Sequence, residues 1–265
     1  MLLHGWMDVA ASYQFVVDAL AQDHYIIAPD WRGYGLTAAP AQDNFWFADY
    51  LADLDFLLDH FSPDQAVNLV GHSMGGNVAM VYAGVRPERV RRLVNLEGFG
   101  LPASRPEQAP KRYAEWIDEL KRLHQGELDL TAYASVEGVA RRLMKTNPRL
   151  SPDKADWLAR HWARENAQGQ WEIMGHPAHK IISAHLYQVE ETLALYRRLT
   201  MPVLALEAAA DNLQTFWNGR YSLAEYHERL RCIPQVKIST IPDAGHMLHH
   251  DQPSLLAGMI EGFIA

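Results

Sequence analysis

The sequence predicts an α/β fold, in which a mostly parallel sheet carries helices on both faces and is interrupted by a helical insertion. Short apolar segments alternate with helix-like segments in both end regions of the chain, as is typical of parallel strands joined by helices. A serine between glycines separates one such strand from the helix-like segment after it. Between residues 98 and 190, helix-like segments follow one another without a convincing strand, which predicts the insertion.

The strands are predicted from short apolar runs bounded by turn-forming residues. These runs lie at residues 1–3, 24–28, 66–71, 91–97, 202–207 and 236–241. The helices that cover the sheet are predicted at residues 12–21, 47–60, 75–85, 222–231 and 253–264. The pattern contains no internal repeat or low-complexity segment.

The insertion is predicted to be helical. Its helix-like segments lie at residues 107–124, 135–145 and 151–168, and prolines punctuate them. Proline starts or stops a helix but is not accommodated inside one. We therefore expect a core made of residues 1–97 and 191–265, with residues 98–190 forming a helical cap.

The glycine-flanked serine lies in the run Gly71-His72-Ser73-Met74-Gly75. A strand, a sharp turn and a helix around this pattern are what a nucleophile elbow requires. The turn strains the serine backbone, and glycines at positions 71 and 75 let strand and helix approach closely. The pattern predicts that Ser73 is a nucleophile presented in a cleft, and that His72 fixes the elbow or packs beside it.

Two distant segments supply the other parts of such a site. Leu2-Leu3-His4-Gly5-Trp6 is predicted to be a strand end that runs into a glycine turn, with His4 bracing that turn. We expect the backbone N–H groups of Trp6 and Met74 to form an oxyanion hole, the second aided by the dipole of its helix. His246 follows the last predicted strand, and a serine hydroxyl needs such a base.

These motifs together resemble the α/β-hydrolase family, in its branch with a serine nucleophile and a helical cap. The matching segments are His4-Gly5-Trp6, Ile27-Ala28-Pro29-Asp30-Trp31-Arg32-Gly33-Tyr34-Gly35-Leu36, the elbow, and Gly245-His246 with Asp251-Gln252-Pro253. Two further segments are similar to those of serine-hydrolase-like esterases, namely His4-Gly5-Trp6-Met7-Asp8 and Asn95-Leu96-Glu97-Gly98-Phe99-Gly100. The family usually places two antiparallel strands before the His-Gly turn. The resemblance therefore implies that the native reading frame begins upstream of Met1, or that this form lacks an edge of its sheet.

The acid that orients His246 has two candidates. Asp211 follows the strand at 202–207, where the resemblance places the acid in the chain order Ser, Asp, His. Its surroundings depart from the family pattern, because alanine stands at position 208 where glycine is expected. Glu97 ends the strand at 91–97, from which some related hydrolases present their carboxylate. The sequence leaves both open.

Composition excludes several other classes. The formal net charge is −8, with no basic stripe to attract nucleic acid. No apolar stretch approaches the roughly 20 residues of a membrane helix, so a cytoplasmic protein without a membrane partner is expected. Cys232 is the only cysteine, which rules out an intrachain disulfide. We expect a monomer or a homodimer.

The sequence gives no sign of a metal site or a cofactor. Two histidine pairs have the i, i+3 spacing of helical ligands, His176 with His179 and His246 with His249. Neither pair lies in a clear helix or in an H-E-x-x-H motif. We expect His249 and His250 to lie on the surface or just behind the site.

The resulting functional hypothesis is a serine hydrolase that cleaves a small or medium carboxylic ester through an acyl-enzyme, with no cofactor. Phe99, Met247 and Trp116 are the candidate pocket residues, the last from the aromatic residues of the insertion. Two alternatives remain open. The same triad serves carbon–carbon bond hydrolases and cofactor-free perhydrolases, and an inactive chain would serve as a binding module.

Overall fold

Five parallel strands form the central sheet in the computed structural model, which describes residues 1–39, 42–210 and 213–265. The strands are β1 (Leu2–Leu3), β2 (Val67–His72), β3 (Val90–Leu96), β7 (Val203–Ala208) and β8 (Val236–Ile241). Their order across the sheet is β1-β2-β3-β7-β8, and every neighbouring pair is parallel. The predicted fold class is confirmed. Because all strands run the same way, their carboxyl ends meet at one edge, where β2 and β3 are neighbours.

Helices follow or precede these strands along the chain. They are α1 (Gln14–Val17), α2 (Phe47–Phe61), α3 (Met74–Val85), α4 (Ala109–His124), α5 (Val136–Thr146), α6 (Pro152–Trp162), α7 (Val189–Tyr196), α8 (Leu213–Phe216), α9 (Leu223–Leu230), α10 (Leu248–Asp251) and α11 (Pro253–Ile264). Among the residues that the structure describes, no helix is long and apolar enough to cross a membrane.

The two faces of the sheet carry separate apolar cores. Alternate strand residues point to opposite faces, so Leu69 and Leu93 join the core that includes α2 and α3. Val70 and Val94 instead join the core that includes α11. The near-continuous apolar character of the strands follows from burial on both faces.

The insertion differs from its prediction, because it contains strands as well as helices. β4 (Ala132–Tyr133), β5 (Ala163–Glu165) and β6 (Trp171–Ile173) form an antiparallel sheet in the order β4-β6-β5, separate from the central one. The predicted helix at 151–168 therefore ends at Trp162. A tight turn returns the chain, with Gly169 at a φ of 73° and the Asn166 N–H donating to the Gln170 carbonyl at 2.7 Å. The domain boundaries at 98 and 190 stay a prediction.

Two predicted elements near the start of the chain are also wrong in detail. Residues 24–28 form no assigned strand, although the Leu2 N–H donates to the Ile27 carbonyl at 2.8 Å. To form a strand, residues 24–28 would need a partner strand of several residues for a ladder of hydrogen bonds, and their neighbour β1 has only two residues. The predicted helix at 12–21 is a 3₁₀ turn at Ala10–Tyr13 followed by the short α1.

His179 anchors the insertion to the core. Its ring stacks between Tyr34 and Phe45, with centroids 3.8 and 3.7 Å away. Its Nδ1 accepts from the Tyr50 hydroxyl at 3.2 Å, which leaves Nε2–H to donate to the Gly33 carbonyl at 3.3 Å. Burial lowers the pKa of His179 to about 3, so the ring is neutral at physiological pH.

This buried neutral ring predicts acid sensitivity. In the unfolded chain His179 regains its ordinary pKa of about 6.5, so below that pH the unfolded state binds one proton more than the folded state. The free energy of unfolding therefore falls by about 1.4 kcal/mol for each pH unit between roughly 6.5 and 3 from this residue alone. We expect His179→Phe to reduce the measured slope by about that amount in denaturant titrations at pH 6, 5 and 4.

The matched control is His161→Phe. His161 is exposed and stacks on Trp157 at 4.0 Å, so solvent reaches its ring in both folded and unfolded chains. A slope lowered equally by both substitutions would contradict the role assigned to His179.

Candidate active site

The serine turn has the strained geometry that its sequence predicts. Ser73 lies between the end of β2 and the start of α3, with φ 51° and ψ −113°. Non-glycine residues rarely adopt a positive φ, and such strain persists only where the surroundings hold it. A Cβ on Gly75 would lie 2.2 Å from the Leu3 carbonyl oxygen, and one on Gly71 would lie 2.4 Å from the Gly75 carbonyl oxygen. Only glycine fits at either position.

His246 reaches this serine from the loop after β8. Its Nε2 lies 3.1 Å from Ser73 Oγ. The side chain of His246 is 48% exposed, so the pair opens toward solvent. Behind it, the Nε2 of His72 lies 2.8 Å from the His246 carbonyl oxygen and must donate to it, because the carbonyl only accepts. His72 thus fixes the backbone that carries His246.

Glu97 completes a row of three hydrogen-bonded side chains. It follows β3, with a φ of 54°, and is buried. Its Oε2 lies 2.6 Å from His246 Nδ1, and its Oε1 accepts from the Ala208 N–H at 2.7 Å. The carboxylate only accepts, so the proton of a neutral His246 sits on Nδ1. Nε2 is then free to accept from Ser73.

The structure thus brings Ser73, His246 and Glu97 together. The other candidate acid, Asp211, lies outside the described residues.

The chain after Glu97 is held by Asn95, whose Oδ1 accepts from the Gly98 N–H at 2.9 Å and whose Nδ2 donates to the Gly98 carbonyl at 3.0 Å. Asn95 is fully buried. Asn95 is a polar residue inside a predicted apolar strand, and this is the sequence signal that could have predicted the turn.

The two segments that carry the expected oxyanion donors lie beside the serine. Met74 begins α3, so its N–H has no acceptor within the helix. Gly5 lies against the serine, since a Cβ on it would be 3.3 Å from Ser73 Cβ. His4 braces the turn: its Nε2 accepts from the Trp31 N–H at 2.9 Å, so Nδ1–H donates to the Gly5 carbonyl at 2.8 Å.

The side chain of Trp6 leaves this turn toward the insertion. Its Nε1–H donates to the His179 carbonyl at 2.9 Å, and about half of the side chain stays exposed.

The predicted pocket residues are all half-buried. Phe99 meets the Tyr226 ring edge-on at 5.0 Å, Met247 directly follows His246, and Trp116 lies on α4. Their role as pocket residues stays a prediction.

A group of buried histidines lies behind the elbow. His249 and His250 are 0% and 4% exposed, so of the two expected positions, on the surface or just behind the site, the structure shows the second. The His249 ring lies 4.4 Å from that of His72. Burial lowers the pKa of His72 and of His250 well below the usual range, so both rings are neutral. Sequence spacing did not reveal this group because its members come from separate segments.

Asp8 belongs to the same buried group. Its Oδ2 lies 3.8 Å from His249 Nε2. Burial by itself would raise the pKa of Asp8, but His249, His250 and His4 outweigh burial and hold that pKa well below its usual range. Asp8 is therefore an anion at physiological pH.

Comparison with known proteins decides the family. The model of the family described as alpha/beta hydrolase fold matches residues 1–253. The chain belongs to the α/β hydrolase fold family. Membership agrees with the parallel sheet and with the elbow at the end of β2.

Several curated relatives of this α/β hydrolase are named as hydrolases. A serine hydrolase-like protein of Danio rerio is 29% identical over 167 residues, covering 62% of this chain and 51% of its own length. The sn-1-specific diacylglycerol lipase of Xenopus laevis is 26% identical over 270 residues, covering 100% of this chain and 78% of its own length. The 2-hydroxymuconate semialdehyde hydrolase of Pseudomonas sp. strain CF600 is 33% identical over 138 residues, covering 50% of this chain and 47% of its own length. The chain thus spans about half the length of two of these three relatives.

Solved structures share the fold. A hypothetical protein of Pseudomonas aeruginosa PAO1 has a TM-score of 0.84 and 24% identity, covering 99% of this chain and 88% of its own. A thioesterase domain from the curacin biosynthetic pathway has a TM-score of 0.81 and 24% identity, covering 98% of this chain and 89% of its own. At 24% identity, these likenesses show the fold of this α/β hydrolase.

The close contact at Gly75 predicts a large effect from a single methyl group. We expect Gly75→Ala to lower the free energy of unfolding by at least about 2 kcal/mol, because the new Cβ meets rigid backbone. Denaturant unfolding measures this change. The matched control is Gly258→Ala, at an exposed position of α11 with no atom within 4 Å of the new Cβ. This control should gain up to about 1 kcal/mol from helix propensity. Equal effects of the two substitutions would refute the packing argument.

Proposed function

We propose that this α/β hydrolase is a serine hydrolase that cleaves a small or medium carboxylic ester through an acyl-enzyme. The observation that carries the proposal is the hydrogen-bonded row of Ser73, His246 and Glu97, with spacings of 3.1 and 2.6 Å. A nucleophile, a base within reach of it and a carboxylate orienting the base are the parts that serine acyl transfer needs.

In the first half of the reaction, Ser73 Oγ attacks the ester carbonyl carbon while its proton passes to His246 Nε2. Glu97 stabilises the resulting imidazolium through the Nδ1–H bond. The carbonyl oxygen becomes an oxyanion, held by the N–H groups of Trp6 and Met74, each contributing about 3 kcal/mol. His246 then gives its proton to the leaving alkoxide, the carbon–oxygen bond of the ester breaks, and the acyl group remains on Ser73.

In the second half, water replaces the alcohol. His246 Nε2 takes a proton from water as the water oxygen attacks the acyl carbon. The oxyanion forms in the same place, and collapse returns the proton to Ser73 Oγ. The products are one alcohol and one carboxylic acid, and the 48% exposure of His246 provides the access that the entering water requires.

A carbon–carbon bond hydrolase is the second candidate. The observation that favours it is the 33% identity, over half of this chain, to a protein named 2-hydroxymuconate semialdehyde hydrolase. That chemistry uses the same nucleophile and base but a carbon leaving group. Turnover of a p-nitrophenyl ester panel and of a vinylogous 1,5-diketone separates the two candidates, since the proposed esterase prefers the esters.

Labelling by a fluorophosphonate probe tests the proposal directly. We expect one adduct per chain, located on Ser73 by peptide mass spectrometry, because the probe reports a serine activated by a base. Ser73→Ala should lose the adduct while keeping its melting temperature within a few degrees. Well-folded wild-type protein that takes up no label would favour a non-catalytic binding module.

The role of Glu97 predicts a sharper result. In Glu97→Gln the amide nitrogen can donate to His246 Nδ1, which leaves the proton on Nε2, where it blocks acceptance from Ser73. We expect kcat for a p-nitrophenyl ester to fall by about 10⁴, with a small change in KM.

Glu207→Gln is the matched control. Glu207 is also buried at the end of a neighbouring strand, and it also pairs with a histidine, its Oε2 lying 2.7 Å from His227 Nε2. Turnover should stay within a few-fold of wild type. Asp211→Asn tests the other candidate acid in the same assay. A 10⁴-fold loss in Asp211→Asn, with Glu97→Gln active, would reverse the assignment.

A further inference from the structure

A buried cluster that the proposed reaction does not use lies behind the elbow. It consists of Asp8, His72 and His249, which are 5%, 2% and 0% exposed. One potential ligand atom from each residue lies within 4.8 Å of the other two. Asp8 comes from the loop after β1, His72 from the end of β2 and His249 from α10. The three are brought together by the fold alone.

The cluster holds polar atoms without hydrogen-bond partners. Within residues 1–39, 42–210 and 213–265, these atoms are Asp8 Oδ2, His72 Nδ1 and both ring nitrogens of His249. A buried polar atom without a partner costs about 1–3 kcal/mol, and a charged one costs more. The only ion-pair partner of Asp8 among the described residues is His249, with 3.8 Å between the nearest atoms. A bound cation would satisfy every one of the facing lone pairs.

The outer contacts of the cluster orient its ligand atoms. His72 donates from Nε2–H to the His246 carbonyl, which leaves a lone pair on Nδ1 available to a ligand. Asp8 Oδ1 accepts from the Ser12 hydroxyl, which leaves Oδ2 available to it as well. Metal-binding histidines commonly donate their second nitrogen to a backbone carbonyl, and metal-binding carboxylates are themselves hydrogen-bonded. Asp8 and His72 both have such contacts.

We propose that Asp8, His72 and His249 bind one divalent transition-metal cation, for which Zn²⁺ is the first candidate. Two imidazole nitrogens and one carboxylate oxygen are donors that Zn²⁺ accepts, with water completing four-coordination. Ligand atoms around tetrahedral zinc are about 3.3 Å apart. The 3.8 Å between His249 Nε2 and Asp8 Oδ2 is close to that spacing, and the widest separation, up to 4.8 Å, must shorten by about 1.5 Å. Metal binding would therefore require side-chain rotations in the cluster.

The place of the cation gives it a structural role. None of the ligand atoms takes part in the hydrogen bonds among Ser73, His246 and Glu97. The cation would instead hold His72, whose other nitrogen binds the His246 backbone. Metal binding would therefore fix the loop that carries the proposed base, and it is measurable whether or not the enzyme turns over an ester.

Metal titration of chelator-treated protein tests the proposal. Because the ligands are buried, the chain is unfolded in denaturant with chelator, refolded without metal, and titrated with ZnCl₂ by calorimetry. We expect one tight equivalent per chain, retained after gel filtration and counted by elemental analysis, together with a higher melting temperature. Co²⁺ used in place of Zn²⁺ should give the visible absorption of a four-coordinate site.

Variants assign that equivalent to the cluster. Asp8→Asn and His249→Gln should each weaken Zn²⁺ binding by at least about 100-fold, because each removes one of three protein ligands. His60→Gln changes an exposed histidine and should bind Zn²⁺ as wild type does. Circular dichroism checks that each variant is folded. If Asp8→Asn does not fold, the Zn²⁺ affinity of His249→Gln decides whether the cluster is the binding site.

Two results would overturn the site. One is a folded wild-type chain that binds no tight equivalent of Zn²⁺. The other is an equivalent that survives both substitutions, which would place the metal elsewhere. Fluorophosphonate labelling of Ser73 is recorded in parallel, so failure of the metal site and failure of the hydrolase proposal are separate outcomes.

Discussion

The contact between Gly75 and the Leu3 backbone is the constraint on which the candidate site depends. It lets α3 start directly against β1, so the chain must reverse within one residue after β2. Ser73 is that residue, and its positive φ is the result. The same contact places the start of α3 next to Ser73. The strained turn at Ser73 and the free N–H at the start of α3 thus arise from one packing contact, and they are the proposed nucleophile and one proposed oxyanion donor.

Strand order explains which carboxylate meets His246. β3 and β7 each end in a buried glutamate paired with a histidine, Glu97 with His246 and Glu207 with His227. β3 is the direct neighbour of β2, while β7 lies one strand further away. Of these two glutamates, Glu97 is the one that lies beside the elbow. The two pairs have similar chemistry, and they differ in their position in the sheet.

His72 links the two sides of the elbow. One nitrogen binds the backbone of His246, and the other faces Asp8 and His249. A single imidazole ring thus connects the buried cluster to the loop that carries the proposed base. This arrangement depends on the residue just before Ser73, which the sequence predicts to fix the elbow or to pack beside it.

The sequence by itself determined the parallel sheet and the elbow at Ser73, and it predicted His246 as the partner of that serine. Each depends on local signals: apolar runs of strand length, glycines that a sharp turn requires, and a histidine after the last strand. Sequence also missed the tight turn at Gly169, and with it the small sheet of the insertion. Only the tertiary structure brought Glu97 to His246 and gathered Asp8, His72 and His249, because these contacts join segments that are far apart in the chain and no local spacing encodes them.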